Sequence, residues 1–281
     1  MSLTPAHHSD TIDLGGDLTV HRLGYGAMRI TGEGIWGDPP DRDVAKQVLR
    51  RAVELGVDFI DTAWSYGPRV SEQLIAEALY PYPESLVIAT KGGLDRSGPD
   101  GWHIDARPER LRQDCEDSLQ RLRLDAIPLY QLHWPDPNVP YEESVGALAE
   151  LKAEGKIRHI GISNVNEAQV RTAQSVTPIV SIQNRFNPGD RESDSLVDLC
   201  EQERVAFLPW APIQNLDDNA AILDAAKHHE ATPHQIALAW LLARSPAILA
   251  IPGTGSIAHL ESNVAAATIA LTPEEVATIT G

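Results

Sequence analysis

The chain has 281 residues, of which 42% are hydrophobic and 22% charged, values typical of a globular protein with a substantial core. Its 40 acidic residues outnumber its 23 basic residues and give a net charge of −17. Because phosphates need a clustered positive surface, this charge argues against a nucleic acid or an anionic membrane as partner.

The two cysteines and the polar N-terminus favour a cytoplasmic protein. Cys115 and Cys200 lie on the apolar stripes of two predicted helices, which predicts buried free thiols in a reducing compartment. No apolar run reaches the ~18 residues of a membrane span, and no signal-peptide pattern is present. We therefore expect no membrane association, and no obligate protein partner is evident.

In chain order, residues 11–20 predict an N-terminal β-hairpin around Gly15 and Gly16. Eight short apolar runs then alternate with helical patterns. Such alternation predicts an α/β fold, specifically a single (β/α)8 barrel domain over residues 1–281, with extra helices on the catalytic-face loops and at the C-terminus. The runs are centred near Leu23, Phe59, Ile88, Tyr130, Ile160, Ile182, Phe207 and Leu249.

Several helix boundaries can be recognised from the sequence. The first helix, within residues 41–56, presents an apolar face that includes Val48, Leu49 and Ala52. Capping boxes begin at Thr232 and Thr272. The longer intervals are residues 92–109 and 211–233, which we interpret as substrate-shaping loops.

Polar residues end most of the predicted strands. In a barrel the active site lies at the carboxyl ends of the strands, so these residues are candidates for it. Each also has a structural explanation by itself, as a turn cap, a rim lysine or a core histidine. They are Asp61 with Tyr66 just beyond it, Lys91, His133, Ser163, Asn164 and Gln183.

Lys91 and Tyr66 suggest proton transfer. A lysine ammonium buried in a barrel mouth needs a carboxylate, which Asp61 on the neighbouring strand can supply. The cation would lower the pKa of Tyr66 below its usual value of about 10, so that Tyr66 could protonate a developing alkoxide. His133 would donate a second hydrogen bond to the same oxygen. With no candidate nucleophile among the side chains, a hydride from a reduced nicotinamide is the natural attacking group.

A dinucleotide site is less clearly marked. The G-x-G-x-x-G fingerprint is missing, and the segment 24–28 supplies only Gly24 and Gly26. After the last strand, residues 253–256 open a helix and could offer N–H groups and hydroxyls to phosphate. A plain helix cap is the alternative interpretation of that segment.

The motifs DTAWSYG, ATKGG, QLHWPD, HIGISN, SIQNRFN and IPGTGSIAHLESN occur in that order. Through them the sequence resembles the aldo-keto reductase superfamily over essentially its whole length. The resemblance implies a catalytic tetrad of Asp61, Tyr66, Lys91 and His133. It also implies NADPH-dependent reduction of an aldehyde or ketone. The implied cofactor-binding residues are Gly26, Asp61, Ser163, Asn164, Gln183, Trp210, Ala211, Pro212, Gly253, Thr254, Gly255, Ser256, His259 and Asn263.

One departure from the family concerns the cofactor. Gly253 and His259 stand where many NADPH-using members carry a lysine and an arginine, so NADH is also possible. Bacterial oxidoreductases of the pyridoxal reductase type show a further similarity, which makes pyridoxal or another small aldehyde a candidate substrate. The expected substrate pocket, for which core packing is the alternative, comprises Tyr25, Met28, Trp64, Trp102, His103 and Trp134.

Two other classes of function remain open from the residues. A nucleotide-binding sensor would keep the cofactor site but turn over little substrate. A metal-dependent barrel hydrolase would need a histidine cluster, yet the pairs His7–His8 and His228–His229 are adjacent in sequence, and adjacent helical side chains point apart. We therefore expect no metal.

Overall fold

The computed structural model describes residues 4–214, 216 and 219–281. Its largest sheet has seven parallel strands in the order β11-β10-β9-β8-β5-β4-β3, and the pairs β1/β2 and β6/β7 are antiparallel. The strands are β1 (Thr11–Leu14), β2 (Leu18–His21), β3 (Tyr25–Gly26), β4 (Phe59–Asp61), β5 (Val87–Gly92), β6 (Leu94–Arg96), β7 (Trp102–Ile104), β8 (Ile127–Leu132), β9 (Ile157–Ser163), β10 (Ser181–Gln183) and β11 (Ala206–Phe207).

The two edges of the parallel sheet are linked through residues 247–251. On one side the Leu249 N–H donates to the carbonyl of Phe207 at 2.9 Å, and on the other the Ala250 N–H donates to the carbonyl of Arg22 at 2.9 Å. The run predicted near Leu249 therefore lies between the first and last strands of a curled sheet. The predicted α/β fold is confirmed, and its parallel strands form a curled sheet.

Helices follow most strands and cover the outside of the sheet. Helix 42–54 is capped by Asp41, whose carboxylate accepts the N–H groups of the first turn, and its buried face includes Val48, Leu49 and Ala52 as predicted. The capping boxes at Thr232 and Thr272 are both formed. The helices are α1 (Arg42–Glu54), α2 (Val70–Leu79), α3 (Pro108–Leu122), α4 (Tyr141–Ala153), α5 (Glu167–Val176), α6 (Asp194–Glu203), α7 (Ala220–His228), α8 (Pro233–Arg244), α9 (Ile257–Ala265) and α10 (Pro273–Thr280).

The interior of the sheet is filled at the end where the strands begin. Phe59 and Val87, the first residues of β4 and β5, pack there with Leu14, Leu18 and Val20 of the β1/β2 pair. This pair joins through a turn at residues 15–17 and covers that end of the sheet. The carboxyl ends of the strands are therefore left as the place for a cavity.

Both cysteines are fully buried and free, as predicted. Burial raises the pKa of the Cys115 and Cys200 thiols to about 12, so both are unreactive at neutral pH. Within the described ranges, every helix is too short or too polar to cross a lipid bilayer.

Candidate active site

A cavity of about 780 Å³ opens at the carboxyl ends of the strands. The part of its wall that the sequence predicted consists of Gly26, Met28, Asp61, Tyr66, Trp102, His133, Trp134, Ser163, Asn164, Gln183, Trp210, Ala211, Pro212 and Gly253. The part that the sequence did not indicate consists of Arg29, Leu94, Ile104, Ile213, Gln214 and Ile251.

Lys91 lies fully buried behind this wall at the end of β5. Its Nζ donates to Asp61 Oδ2 at 2.6 Å, to the carbonyl of Thr62 at 2.8 Å and to Tyr66 Oη at 3.4 Å. All three donor positions of the ammonium are therefore used, and one of them is directed at the phenol.

The carboxylate of Asp61 is bonded on both oxygens. Oδ1 accepts the side-chain amides of Gln131 and Gln183, each at 3.0 Å, while Oδ2 accepts Lys91. Residues from β4, β5, β8 and β10 thus meet on one carboxyl group. Because both of its oxygens are bonded, Asp61 is held in place and fixes the position of Lys91.

The electrostatics of this group differ from the expectation in one respect. Burial alone would lower the pKa of Lys91, but the adjacent Asp61 and Tyr66 outweigh it and hold that pKa above the usual value. The expected lowering of the Tyr66 pKa is wrong: burial of the ring raises it, and the charge of Lys91 opposes burial without reversing it. At neutral pH the phenol therefore keeps its proton.

His133 is the other polar group that faces the cavity beside Tyr66. The two rings meet edge to face with centroids 5.9 Å apart, and Ser65 Oγ lies 3.4 Å from His133 Nδ1. Burial, and secondarily the charge of Lys91, lowers the pKa of His133 well below its usual value. The imidazole is therefore neutral. The Ser65 hydroxyl occupies Nδ1, so Nε2 is the ring nitrogen without a hydrogen-bond partner among the described residues.

Across the cavity, Asn164 organises the aromatic wall. Its Oδ1 accepts the indole N–H of Trp210 at 3.0 Å, and its Nδ2 donates to the carbonyl of His133 and to Ser163 Oγ, each at 3.0 Å. Ser163 Oγ in turn donates to the carbonyl of Gln183 at 2.7 Å. One amide thus holds the indole of Trp210 in a fixed orientation.

Ala211, next to that ring, has a left-handed backbone with φ of 53°, and Asn164 has φ of 58°. Left-handed backbone is unfavourable for alanine and more readily adopted by asparagine. Such strain is retained where the surrounding structure enforces it, most often at functional sites.

Glycines allow two backbone segments to touch at the other end of the cavity. A Cβ on Gly26 would lie 2.7 Å from the carbonyl oxygen of Ile251, and one on Gly253 would lie 2.7 Å from that of Gly26. A Cβ on Gly255 would lie 2.9 Å from the carbonyl oxygen of Arg29. Any side chain at these positions would therefore force the segments apart.

The remaining predicted cofactor residues lie next to this contact, outside the cavity wall. Thr254 Oγ1 accepts the N–H of Ser256 at 3.1 Å, and Ser256 Oγ caps α9 by accepting the N–H of His259 at 3.4 Å. His259 is exposed in the first turn of the helix, whereas Asn263 is buried one turn later. The segment does form a helix cap, with N–H groups at its open end.

Three predicted pocket residues do not line the cavity. Tyr25 is fully buried, and its hydroxyl donates to the carbonyl of Thr254 at 2.5 Å. Trp64 is 4% exposed because its ring packs beneath the guanidinium groups of Arg69 and Arg110, whose carbons lie 5.0 and 4.6 Å from its centroid. Tyr25 and Trp64 therefore have structural roles, and the prediction that they line the pocket is wrong.

His103 is the third. It lies exposed on β7, outside the cavity wall, and its Nε2 is 2.6 Å from Ser97 Oγ. Because side chains alternate along a strand, Trp102 and Ile104 turn toward the cavity while His103 turns away.

The loops at the mouth of the cavity are joined by Arg96. Its guanidinium is largely buried and donates to the main-chain carbonyls of residues 34–35 and 98–99 at 2.7 to 3.0 Å. It also lies 3.5 Å from the ring centroid of Trp102 and 5.7 Å from that of Trp36. Arg96 thereby fixes Trp102, one of the aromatic walls.

Arg29 is a cation at the cavity that the sequence analysis missed. It lies exposed in the 3-10 turn Ala27–Ile30, and its Cγ is 3.8 Å from the position that a Cβ on Gly253 would occupy. It forms no ion pair with the residues that the structure describes. In the sequence, its position directly after the glycine-containing segment 24–28 is the only indication of this role.

Comparisons with known proteins give the family. Residues 22–281 match the model described as the aldo/keto reductase family. An uncharacterized oxidoreductase of Schizosaccharomyces pombe is 46% identical, over 97% of this chain and 90% of that protein. Pyridoxine 4-dehydrogenase of Escherichia coli K12 is 42% identical, over 97% of this chain and 98% of that protein.

Among solved structures, an aldo-keto reductase from Klebsiella pneumoniae in complex with NADPH superposes with a TM-score of 0.82 at 27% identity. The match covers 96% of this chain and 93% of that one. The similarity thus extends over nearly the whole length in both sequence and structure. The chain belongs to the aldo/keto reductase family and is an oxidoreductase.

Proposed function

We propose that this protein is an NADPH-dependent carbonyl reductase that converts an aldehyde or ketone to an alcohol, and that residues 1–281 form a single (β/α)8 barrel domain. The observation that carries the activity is the buried Lys91, which bonds to Asp61 and to Tyr66 while Tyr66 and His133 face the same cavity. This arrangement offers two hydrogen-bond donors to one oxygen atom.

Tyr66 acts as the general acid. A reduced nicotinamide would supply the hydride to the carbonyl carbon. The carbonyl oxygen accepts hydrogen bonds from Tyr66 Oη and His133 Nε2, and Tyr66 passes its proton to that oxygen as negative charge develops. Burial keeps the acid protonated beforehand, and the ammonium of Lys91, 3.4 Å from Oη, stabilises the phenolate that remains.

His133 works as a neutral donor. Its lowered pKa means that it does not compete with Tyr66 for the role of acid at neutral pH. Its hydrogen bond orients the carbonyl and stabilises charge that forms on the oxygen. Asp61 does not touch the reacting atoms and acts by holding Lys91 in place.

The residues around the cavity fit a dinucleotide. The face of Trp210, fixed by Asn164, would stack on the nicotinamide, with the polar groups of Ser163 and Gln183 at its edge. Gly26 and Gly253 bring two backbone segments into contact at the cavity wall, which fixes the backbone along which the cofactor would lie. The start of α9, with Thr254, Gly255, Ser256, His259 and Asn263 around it, would hold the phosphates.

Arg29 supports the choice of NADPH. Gly253 stands where many family members carry a lysine. The Cγ of Arg29 lies 3.8 Å from the position that a Cβ on Gly253 would occupy. We infer that its guanidinium replaces that lysine and pairs with the 2′-phosphate. The Klebsiella pneumoniae structure in complex with NADPH is consistent with this cofactor.

The substrate should be small and largely apolar around its carbonyl group. The cavity that Tyr66 and His133 line also has an apolar wall, supplied by Trp102, Trp134, Leu94, Ile104 and Met28. The 42% identity to the Escherichia coli pyridoxine 4-dehydrogenase makes pyridoxal the first aldehyde to test.

The decisive experiment compares Tyr66→Phe with Tyr130→Phe, a matched control. Tyr130 is also buried, but its hydroxyl donates to the carbonyl of Leu111, away from the cavity. NADPH consumption is followed with a panel of aldehydes and ketones that includes pyridoxal. We expect Tyr66→Phe to lose on the order of 10²- to 10⁴-fold in kcat while NADPH still quenches tryptophan fluorescence, and Tyr130→Phe to remain active.

Two outcomes would contradict the proposal. Full activity of Tyr66→Phe would exclude it as the acid. Tight NADPH binding by the parent protein without turnover on any carbonyl compound would favour the nucleotide sensor instead.

A further inference from the structure

Outside the cavity, three side chains of metal-ligating type lie close together where α7 ends and α10 begins. His228 Nδ1 is 2.8 Å from Glu275 Oε1, and His229 Nε2 is 2.9 Å from the same oxygen. The expectation that these adjacent rings point apart is wrong. Helix α7 ends at His228 with His229 as its cap, and both rings turn toward α10 with centroids 4.8 Å apart.

The three ligand atoms suit a transition-metal ion. They all lie within 4.8 Å of one another. Zn²⁺ binds imidazole nitrogen and carboxylate oxygen at about 2.0–2.2 Å, which puts neighbouring ligand atoms of a tetrahedral site about 3.3 Å apart. On binding, the contacts of 2.8 and 2.9 Å would lengthen by a few tenths of an ångström. The two imidazole nitrogens, which lie within 4.8 Å of each other, would approach through rotation of the exposed His228 ring.

Glu275 is already held in a ligating orientation. Its Oε2 accepts the N–H and the hydroxyl of Thr272 at 2.8 and 3.0 Å in the capping box, so Oε1 is directed at the histidines. The carboxylate therefore presents one oxygen to both imidazoles.

The surroundings give an ion access and an open position. His229 and Glu275 are 19% and 18% exposed, whereas His228 is 70% exposed and free to adjust. A cleft of about 330 Å³ borders the group and is also lined by Asp224 and Glu274. Glu274 adds negative charge, whereas Asp224 forms an ion pair with Lys227 at 3.0 Å. The cleft leaves room for water as a fourth ligand.

We propose that His228, His229 and Glu275 form a binding site for one late divalent transition-metal ion, of which Zn²⁺ is the representative, linking α7 to α10. On binding, each imidazole coordinates through the nitrogen that now faces Glu275, and its proton moves to the other ring nitrogen or to solvent. With two nitrogen ligands of three, the site selects against Mg²⁺ and Ca²⁺, which prefer oxygen. The proposal is independent of the reductase activity.

The test uses the full chain without an affinity tag, stripped of metal by a chelator. We expect ZnCl2 titrated by calorimetry to show one saturable site per chain and to raise the Tm, with MgCl2 and CaCl2 doing neither. His229→Ala and Glu275→Gln should each weaken Zn²⁺ binding at least about tenfold. Glutamine preserves the capping box, so this variant keeps the fold of α10.

His234→Ala is the matched control, because His234 is an exposed histidine in the first turn of α8 outside the cluster. Its Zn²⁺ affinity should equal that of the parent. Two results would overturn the proposal: no saturable Zn²⁺ binding by the parent protein, or parent-like affinity in both His229→Ala and Glu275→Gln.

Discussion

Replacing Asp61 with asparagine should show how far the buried ammonium of Lys91 depends on a carboxylate. The pair is 2.6 Å apart, with side chains 4% and 0% exposed, so water cannot compensate for the lost charge. Leaving one member of such a pair unpaired costs about 3–5 kcal/mol. At about 2–4 °C per kcal/mol for a chain of this size, the Tm should fall on the order of 10 °C.

The variant should also respond to pH in a characteristic way. Without Asp61, burial dominates and lowers the pKa of Lys91 below that of an unfolded lysine, about 10.4. At a pH between the lowered pKa of the folded state and about 10.4, the unfolded chain binds more protons than the folded chain. The free energy of unfolding of the variant therefore rises with pH in this range. We therefore expect the difference in Tm between Asp61→Asn and the parent to shrink as the pH rises toward about 10.4.

Thermal unfolding of three proteins tests this reasoning. The double variant Asp61→Asn/Lys91→Met removes the charge together with its partner and fills a similar volume, so it should be more stable than Asp61→Asn alone. A Tm for Asp61→Asn within about 2 °C of the parent, or a double variant no more stable than the single one, would refute the role assigned to the pair.

Three further predictions concern the cavity. Arg29→Gln should raise the KM for NADPH roughly 10- to 100-fold, because a hydrogen bond to a charged group contributes about 1.5–3 kcal/mol. The KM for NADH should change far less. Equal effects on the two KM values in steady-state kinetics would exclude a contact with the 2′-phosphate. Gly253→Ala should lower the free energy of unfolding by about 1–3 kcal/mol, because its Cβ meets the Gly26 carbonyl at 2.7 Å, and weaken NADPH binding; a parent-like urea midpoint would contradict the close approach. Because the pKa of His133 is lowered in the folded state, its contribution to the free energy of unfolding is complete above about pH 6.5 and decreases as the pH falls below that value. Between about pH 7 and 5, the Tm of His133→Gln should therefore fall less than the Tm of the parent.

The polar residues of the site could be predicted because of one property of parallel sheets. The carboxyl ends of neighbouring strands meet at one edge, so Asp61, Lys91, His133 and Gln183 are close in space although they are far apart in sequence. Their mutual hydrogen bonds follow from the cost of burying an ammonium. The position of each residue at the end of its strand was therefore enough to predict that the four side chains lie together.

Properties that depend on packing could not be predicted in this way. The direction of the Tyr66 pKa depends on how completely its ring is buried, and burial outweighs the lysine charge that the sequence suggested. Tyr25 turns away from the cavity to reach the carbonyl of Thr254. Arg29 acquires its place beside Gly253 only when residues 247–251 join the two edges of the sheet.

The anchoring of two mouth loops by a single guanidinium has a consequence for protein engineering. Since Arg96 bonds to residues 34–35 and 98–99 together and stacks on Trp102, the loops form one unit, and neither can be exchanged alone without leaving a largely buried cation unsatisfied. Grafts that aim at a new substrate range should therefore transplant both loops with the arginine. Point changes at Trp134, which has no such attachment to Arg96, offer the simpler route for directed evolution.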